Sequence, residues 1–346
     1  MAQGFLQSGK AAFLYTPAMT DVLILGAGVA GLAAGRDLAA AGRRVQVLDK
    51  ARGVSGRAAT KRFADLRLDH GARFFTARHP RTKALVEEGL DAGWLREWTR
   101  QIPVWEAGTI RTPADGHPRY VGQSGMSDIG KALAAGLEVY TGAQIVDIQR
   151  RSDVWHLTSA DGRTFEAPTL LLNAPAPQLA ALLPEAGALA AVTLHPCWAV
   201  GVALASDLEA TWPALRLEQH PALEWIAREH TKRPGPPALM LHARADWSAQ
   251  HLEDAAEDVQ AALLAAAREV VGGFGVEGRF AHRWRYATPD QRFPDACGWQ
   301  PEQQLGWCGD WCASDDHGPR LEAALLSGWA LAERAQQNRP EHAVPT

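Results

Sequence analysis

Between Asp21 and Arg62 the chain carries residues of the types and spacing needed to hold a dinucleotide. A short apolar run from Asp21 leads into Gly26, Gly28 and Gly31, a helix-forming stretch from Leu32 to Ala41 follows, and a second apolar run closes on Asp49. Gly26 permits a tight strand-to-helix turn, and Gly28 lets a pyrophosphate reach the backbone with no Cβ in the way. Gly31 permits close packing of helix on strand. Phosphates then sit at a helix N-terminus, where free N–H groups and about half a positive charge favour anions. Asp49, about 20 residues on, is placed to accept hydrogen bonds from a ribose hydroxyl. By itself this pattern suits NAD(P) as well as FAD.

These residues need a large scaffold, and the chain can supply one. At 346 residues it is long enough for two domains, and its 47% apolar and 21% charged residues are those of an ordinary globular protein. A formal charge of −4 with no long basic run gives no footprint for nucleic acid or a membrane surface, so small molecules are the expected partners. The four cysteines are scattered, which points to a reducing compartment, the cytoplasm, and to core thiols. No histidine or cysteine pair has metal-ligand spacing, and no apolar run reaches the roughly 20 residues of a membrane span. Residues 1–18 precede the first strand without a cleavage pattern and are expected to be a disordered leader or the product of an upstream start; the last residues, from 338, are expected to fray.

Further elements follow in order. Helical periodicity runs from Lys83 to Arg100, and Val104 to Arg111 is expected as one short strand, with a Gly/Pro-rich connector to Gly122. Ser127 and Asp128 are placed to cap a helix from Ile129 to Ala135. The stretch from Glu138 to Phe165 reads as an antiparallel meander with an Asp161-Gly162 turn, and the strand at Thr169 is expected to return to the nucleotide-binding sheet. Strands at Trp198–Ala205, Ala238–Arg244 and Arg279–Tyr286, with an amphipathic helix from Glu253 to Val271, define a second unit. A late strand ending at Gly309-Asp310 and a helix from Leu321 to Ala335 rejoin the first. The expectation is an α/β fold: a discontinuous Rossmann-type domain (20–76, 125–178, 300–337) and an α+β substrate domain with an antiparallel sheet (77–124, 179–299).

The glycine turn, the Arg52-Gly53…Gly56-Arg57 loop and the late Gly309-Asp310 before a helix together resemble FAD enzymes of the flavin amine oxidase superfamily, with its glutathione reductase-like fold. The resemblance implies non-covalent FAD, with Gly26, Ala27, Gly28, Ala30 and Gly31 at the pyrophosphate and Asp49 at the adenosine ribose. It implies that Lys50 and Arg57 neutralise phosphate, that Gly56, Phe74 and Phe75 border the cofactor, and that Ile145 and Val146 offer backbone to adenine. Gly309 and Asp310 fall at the ribitol or pyrophosphate end, and Arg320 and Leu321 open a helix whose N-terminus faces flavin N1 and C2=O. Within the superfamily the chain is most similar to the bacterial branch of the renalases. The stretches Gly56–Arg62, Asp69–Thr76, His282–Ala287, Gly309–Trp311 and Arg320–Gly328 carry that likeness. It departs at Ala58, where a bulky residue is commoner, and at Ala313–His317.

Renalase-like chemistry would oxidise the 2- and 6-dihydro isomers of NAD(P)H. A hydride would pass to flavin N5, O2 would become H2O2, and β-NAD(P)+ would leave. Such a reaction needs ring stacking and water exclusion but no strong base. Trp284 and His242 are the candidate pocket residues; 240, 242 and 244 share one strand face. No arginine cluster marks a 2′-phosphate site, which favours NAD-type isomers. The alternatives are an amine oxidase and an FAD-binding module without turnover. Amine oxidases carry a substrate-domain lysine and an aromatic at the last helix; here no lysine follows Lys232, and Pro319-Arg320 opens that helix.

Overall fold

The computed structural model describes residues 20–114, 116–183, 186–312 and 321–338. The expected leader and nearly all of the expected tail lie outside the described residues, as do Arg320 and the Ala313–His317 loop.

Strand β1 (Val22–Leu25) is apolar throughout and wholly buried, as a central parallel strand covered on both faces must be. It turns through Gly26, at φ +112°, into α1 (Val29–Ala40), and the chain returns as β2 (Val45–Leu48) parallel to β1. The hairpin β3 (Thr60–Phe63) and β4 (Leu66–Asp69) precedes α2 (Pro80–Asp91), β5 (Leu95–Thr99), β6 (Val104–Glu106), β7 (Thr109–Arg111) and β8 (Arg119–Gly122). Next come α3 (Ser127–Ala134), β9 (Glu138–Tyr140), the meander β10 (Ile145–Arg151), β11 (Val154–Ser159) and β12 (Thr164–Ala167), and β13 (Thr169–Leu172). After α4 (Ala176–Leu182) run β14 (Leu194–Leu204), β15 (Ala214–Glu218), β16 (Leu223–Arg228) and β17 (Ala238–Ala243). The last part holds α5 (Ala245–Gln250), α6 (Ala256–Val271), β18 (Val276–Pro289), β19 (Gly298–Gln300), β20 (Leu305–Trp307) and α7 (Leu321–Gln337).

Two large sheets result. One has the order β19-β20-β13-β1-β2-β9 and is parallel except for β19 at its edge. Val22 and Ile24 face a core shared with α1, α3 and α7, while Leu23 and Leu25 face the meander and α4, the alternation a strand imposes. The other sheet, β18-β14-β17-β16-β15-β6-β7, is antiparallel except where β6 lies parallel to β15. One of its faces packs on α6; the other meets the β3–β4 hairpin through Leu66, Leu68, Met240 and Phe280. The β13 return and the late strand beside it match expectation.

Several elements differ from the sequence reading. The helix expected from Lys83 to Arg100 stops at Asp91, because Gly93 takes φ +74° and releases Leu95–Thr99 to pair with β8, itself expected as loop. The single strand at Val104–Arg111 is a hairpin turned by Ala107 and Gly108, both at positive φ. Helix α3 begins at Ser127, and the Asp128 carboxylate takes the amide and hydroxyl of Ser124 instead of capping a later start. Glu138–Tyr140 leaves the meander to edge the parallel sheet beside β2. Helix α6 starts at Ala256, after a separate α5, and β15 and β16 were not foreseen.

Helices α1 and α7 cross at a glycine. A Cβ on Gly328 would stand 2.1 Å from the Ala30 carbonyl oxygen, so no side chain fits without separating the helices. Gly328→Ala is therefore expected to cost about 1–3 kcal/mol by overpacking. Urea unfolding measures it, and a variant as stable as the parent would mean that the crossing has slack.

Candidate active site

The glycine turn is built around Asn173, at the end of β13. An alanine in place of Gly28 would put its Cβ 2.6 Å from Asn173 Oδ1, and one in place of Gly31 would put its Cβ 2.9 Å from the same atom, while a Cβ on Gly26 would meet the Asn173 backbone at 2.9 Å. Asn173 Nδ2 donates to the Cys308 carbonyl at 3.0 Å, tying β13 to the strand before Gly309. Its buried Oδ1 has no partner among the described residues. Helix α1 has no side-chain cap and no acid in its first turn, and the backbone of Ser55, at φ +94°, bridges to Gly28. Side-chain-free amides at a helix start, walled by glycines, form a cradle for an anion.

Asp49 stands below this turn. Its oxygens accept the amides of Ala27 and Ala51, each at 2.7 Å, and burial pushes its carboxyl up despite those two bonds. Each oxygen keeps a second lone pair for a hydroxyl. The Asp49 carbonyl takes the Ala143 amide at 2.8 Å, which brings the Ile145 segment alongside. There the ladder slips between Ile145 and Asp147, leaving Val146 without a cross-strand partner and 51% exposed. Lys50 is exposed and donates to Gln178 at 3.0 Å.

Arg57 and Asp310, 253 residues apart, meet at 2.5 Å, and Arg57 also donates to the Ala287 carbonyl at 2.8 Å. The Gly56 loop, the end of β18 and the segment after β20 are thereby joined. The Gly309 amide donates to Ser327 Oγ of α7 at 3.0 Å. Leu321 opens the described part of α7. Phe74 and Phe75 diverge: Phe75 is buried and pairs its backbone with Tyr120, whereas Phe74 packs on Trp98 and Trp225.

Trp284 and His242 converge on one atom. Trp284 Nε1 donates to the His70 carbonyl at 2.7 Å, and His242 Nε2 donates to the same oxygen at 3.3 Å. The His70 ring stacks on Trp284 at 5.2 Å and 25°, and His282 lies 4.3 Å from Trp284. All three histidines are held neutral. Burial, then His282, pushes His70 down to about 4; burial, then Arg73, lowers His242 well below the usual value; burial, then Lys61, lowers His282. The site thus presents rings and hydrogen-bonding nitrogens without an ionised base.

Beneath it lies a buried quartet. Asp69 Oδ2 pairs with Arg233 at 2.5 Å and Lys232 at 3.3 Å, and Lys232 reaches Glu229 at 2.7 Å, all four side chains nearly or wholly shielded from water. Burial opposes ionisation of Asp69, but Lys232 and Arg233 outweigh it and hold the carboxyl below its ordinary value. Sequence reasoning gave no role to this quartet, to Asn173, or to His70, His282 and Ser327, although Asp69, His70, His282 and Ser327 lie in the stretches that carry the family likeness. For His282 alternation adds a second signal, since it puts the residue on the Trp284 face.

Comparison with known proteins agrees with this architecture. Residues 24–88 match the NAD(P)-binding Rossmann-like domain. Residues 106–336, more than half of the chain, match the flavin containing amine oxidoreductase family, and the chain belongs to that family, with FAD as its cofactor. A protein of Exiguobacterium sp. 255-15 assigned to the protoporphyrinogen oxidases superposes with a TM-score of 0.74 at 14% identity, over 92% of this chain and all (100%) of that one. An engineered double mutant of putrescine oxidase gives 0.70 at 13%, over 92% and 99%. A CLA-producing fatty acid isomerase from P. acnes gives 0.68 at 14%, over 91% and 98%. At such identities the likeness is one of fold. The cradle at Gly26–Gly31 and the Arg57–Asp310 junction suit an FAD: free helix amides for the pyrophosphate and a guanidinium beside it.

The neutral histidines give stability a pH dependence. As pH falls below 6.5 the unfolded chain binds a proton that folded His70 refuses until about pH 4, so stability declines across that window. The loss from His70 is on the order of 3 kcal/mol. Urea midpoints between pH 7.5 and 4.5 should fall for the parent and fall less for His70→Phe; identical slopes would remove His70 as the cause.

Proposed function

We propose that this protein is a renalase-like oxidase of dihydronicotinamide dinucleotides, taking the 2- and 6-dihydro isomers of NAD(P)H to β-NAD(P)+ with formation of H2O2. The observation that carries the reading is the Trp284–His70 ring pair, fixed by an indole N–H on the His70 carbonyl and surrounded by histidines kept neutral. A dihydronicotinamide has no acidic proton to remove, so a wall of rings that orients it and excludes water is what the step needs. When bound, FAD supplies the hydride acceptor at N5 and the route to O2.

The chain's own residues divide the remaining work. In this reading Gly26, Ala27, Gly28, Ala30 and Gly31 cradle the pyrophosphate, Asp49 takes the ribose, and the Val146 bulge meets the adenine. Gly56, Arg57, Gly309, Asp310 and the start of α7 surround the flavin end. His242 donates through Nε2, so its Nδ1 remains an acceptor with no partner among the described residues.

Oxidation of a primary or secondary amine is the second reading, favoured by the family to which the chain belongs. Against it stands the state of Lys232, the last lysine in the chain, which is fully buried between Asp69 and Glu229 instead of facing a pocket.

Two experiments separate these readings. Anaerobic FAD-loaded protein should bleach with the 2- and 6-dihydro isomers and recover in air; bleaching with amines alone would reverse the ranking. Trp284→Ala should retain FAD and slow flavin reduction by about 10- to 100-fold, the scale of lost orientation. Loss of flavin or of the folded state in that variant would make Trp284 a core residue.

A further inference from the structure

The inner face of β18 carries Phe280, His282 and Trp284 at alternate positions, a row about 13 Å long. Arg57 grips the far end of that strand through the Ala287 carbonyl, and Asp310 is bound to Arg57, so the Trp284 end of the row borders the cofactor junction. At the other end the Lys61 ammonium stands 4.8 Å from the centroid of the Phe280 ring. The row is continuous: Phe280 lies 6.3 Å from His70, His70 4.7 Å from His282, and His282 4.3 Å from Trp284.

Lys61 is half-buried, and no carboxylate pairs with it among the described residues, although the chain pairs many of its other cations. Its neighbours along the row are aromatic rings and neutral imidazoles, which leave its charge uncompensated. A solvent-shy cation on an aromatic face attracts an anion and repels a cationic ligand. Ring stacking at one end of the row and one uncompensated positive charge at the other match an oxidisable ring joined to phosphate through an extended arm.

We propose that Lys61 is the anion-recognition residue of the substrate pocket, receiving the pyrophosphate of a dinucleotide whose oxidisable ring lies at Trp284. The inference rests on the proposed placing of the substrate ring at Trp284 and extends it to substrate class. Lys61 selects anionic dinucleotides over cationic amines and takes no part in hydride transfer.

The test uses FAD-loaded protein and ADP-ribose, which carries the pyrophosphate without the oxidisable ring. Calorimetric titration of the parent, Lys61→Met and Lys61→Arg should show Lys61→Met weakening ADP-ribose about tenfold or more and Lys61→Arg retaining it within about threefold. Raising the salt should weaken the parent more than Lys61→Met. In anaerobic stopped flow with the 6-dihydro isomer of NADH, Lys61→Met should raise the half-saturating concentration and leave the limiting reduction rate unchanged. Equal ADP-ribose affinity in parent and Lys61→Met, or no binding to the parent, overturns the proposal. So does a fall in the limiting rate at unchanged affinity, which would put Lys61 at the reacting atoms. If Lys61 governs ADP-ribose binding but no dihydronicotinamide isomer reduces the flavin, the anion site stands and the oxidase reading falls.

Discussion

Asp69 is a negative charge with no access to water, and much of the site is arranged by what that charge requires. A buried carboxylate persists only if its lone pairs are filled and its charge is opposed. Its oxygens take the Thr60 hydroxyl and the Met126 amide as well as Lys232 and Arg233, and its own amide donates to Glu229. The β3–β4 hairpin, the start of α3 and the segment after β16 therefore cannot separate without exposing an unpaired ion. Two carboxylates and two cations sum to no net charge, so the cluster is tolerable as a set and costly in pieces.

That anchoring decides where the next residue stands. His70 follows Asp69 directly, and its carbonyl receives both Trp284 from β18 and His242 from β17. A single peptide oxygen thus sets the height of two side chains that belong to a different sheet. Gly71 is required beside it, since a Cβ there would lie 1.9 Å from the Arg57 carbonyl oxygen. Arg57 in turn reaches Ala287 and Asp310, so the chain of contacts runs from a buried ion cluster to the Arg57–Asp310 pair.

The nucleotide half was legible because its constraints are local. Gly26, Gly28, Gly31 and Asp49 act within one βαβ unit, where spacing alone reports geometry. The same holds for the Asp161-Gly162 turn, with Gly162 at φ +86°. Trp284 and His242 were each placed on a strand, but their shared acceptor was not legible, because His70 is more than 170 residues from either. Gly93 misled in the opposite direction: Trp94, Leu95 and Trp98 fit a helical period, and only pairing with the distant β8 makes them a strand. Asn173 escaped for a similar reason, as its part is to be the surface against which three remote glycines must have no side chain.

The Arg57–Asp310 contact is fixed by protein atoms alone. The two side chains are 29% and 16% exposed, dry enough for the pair to hold and open enough for a ligand to reach it. A guanidinium has five donors, and Arg57 commits donors from two of its nitrogens to Ala287 and Asp310. The rest are available to a phosphate without breaking either tie. Asp310 holds the arginine in place through one oxygen and leaves the other as an acceptor. Under the proposed placing of the cofactor, its charge would be met by a cation already fixed in place, so little ordering entropy would remain to be lost on binding. Around Trp284 the opposite economy holds: burial keeps the titratable rings of His70, His242 and His282 neutral, so contacts there are made by ring faces and neutral nitrogens.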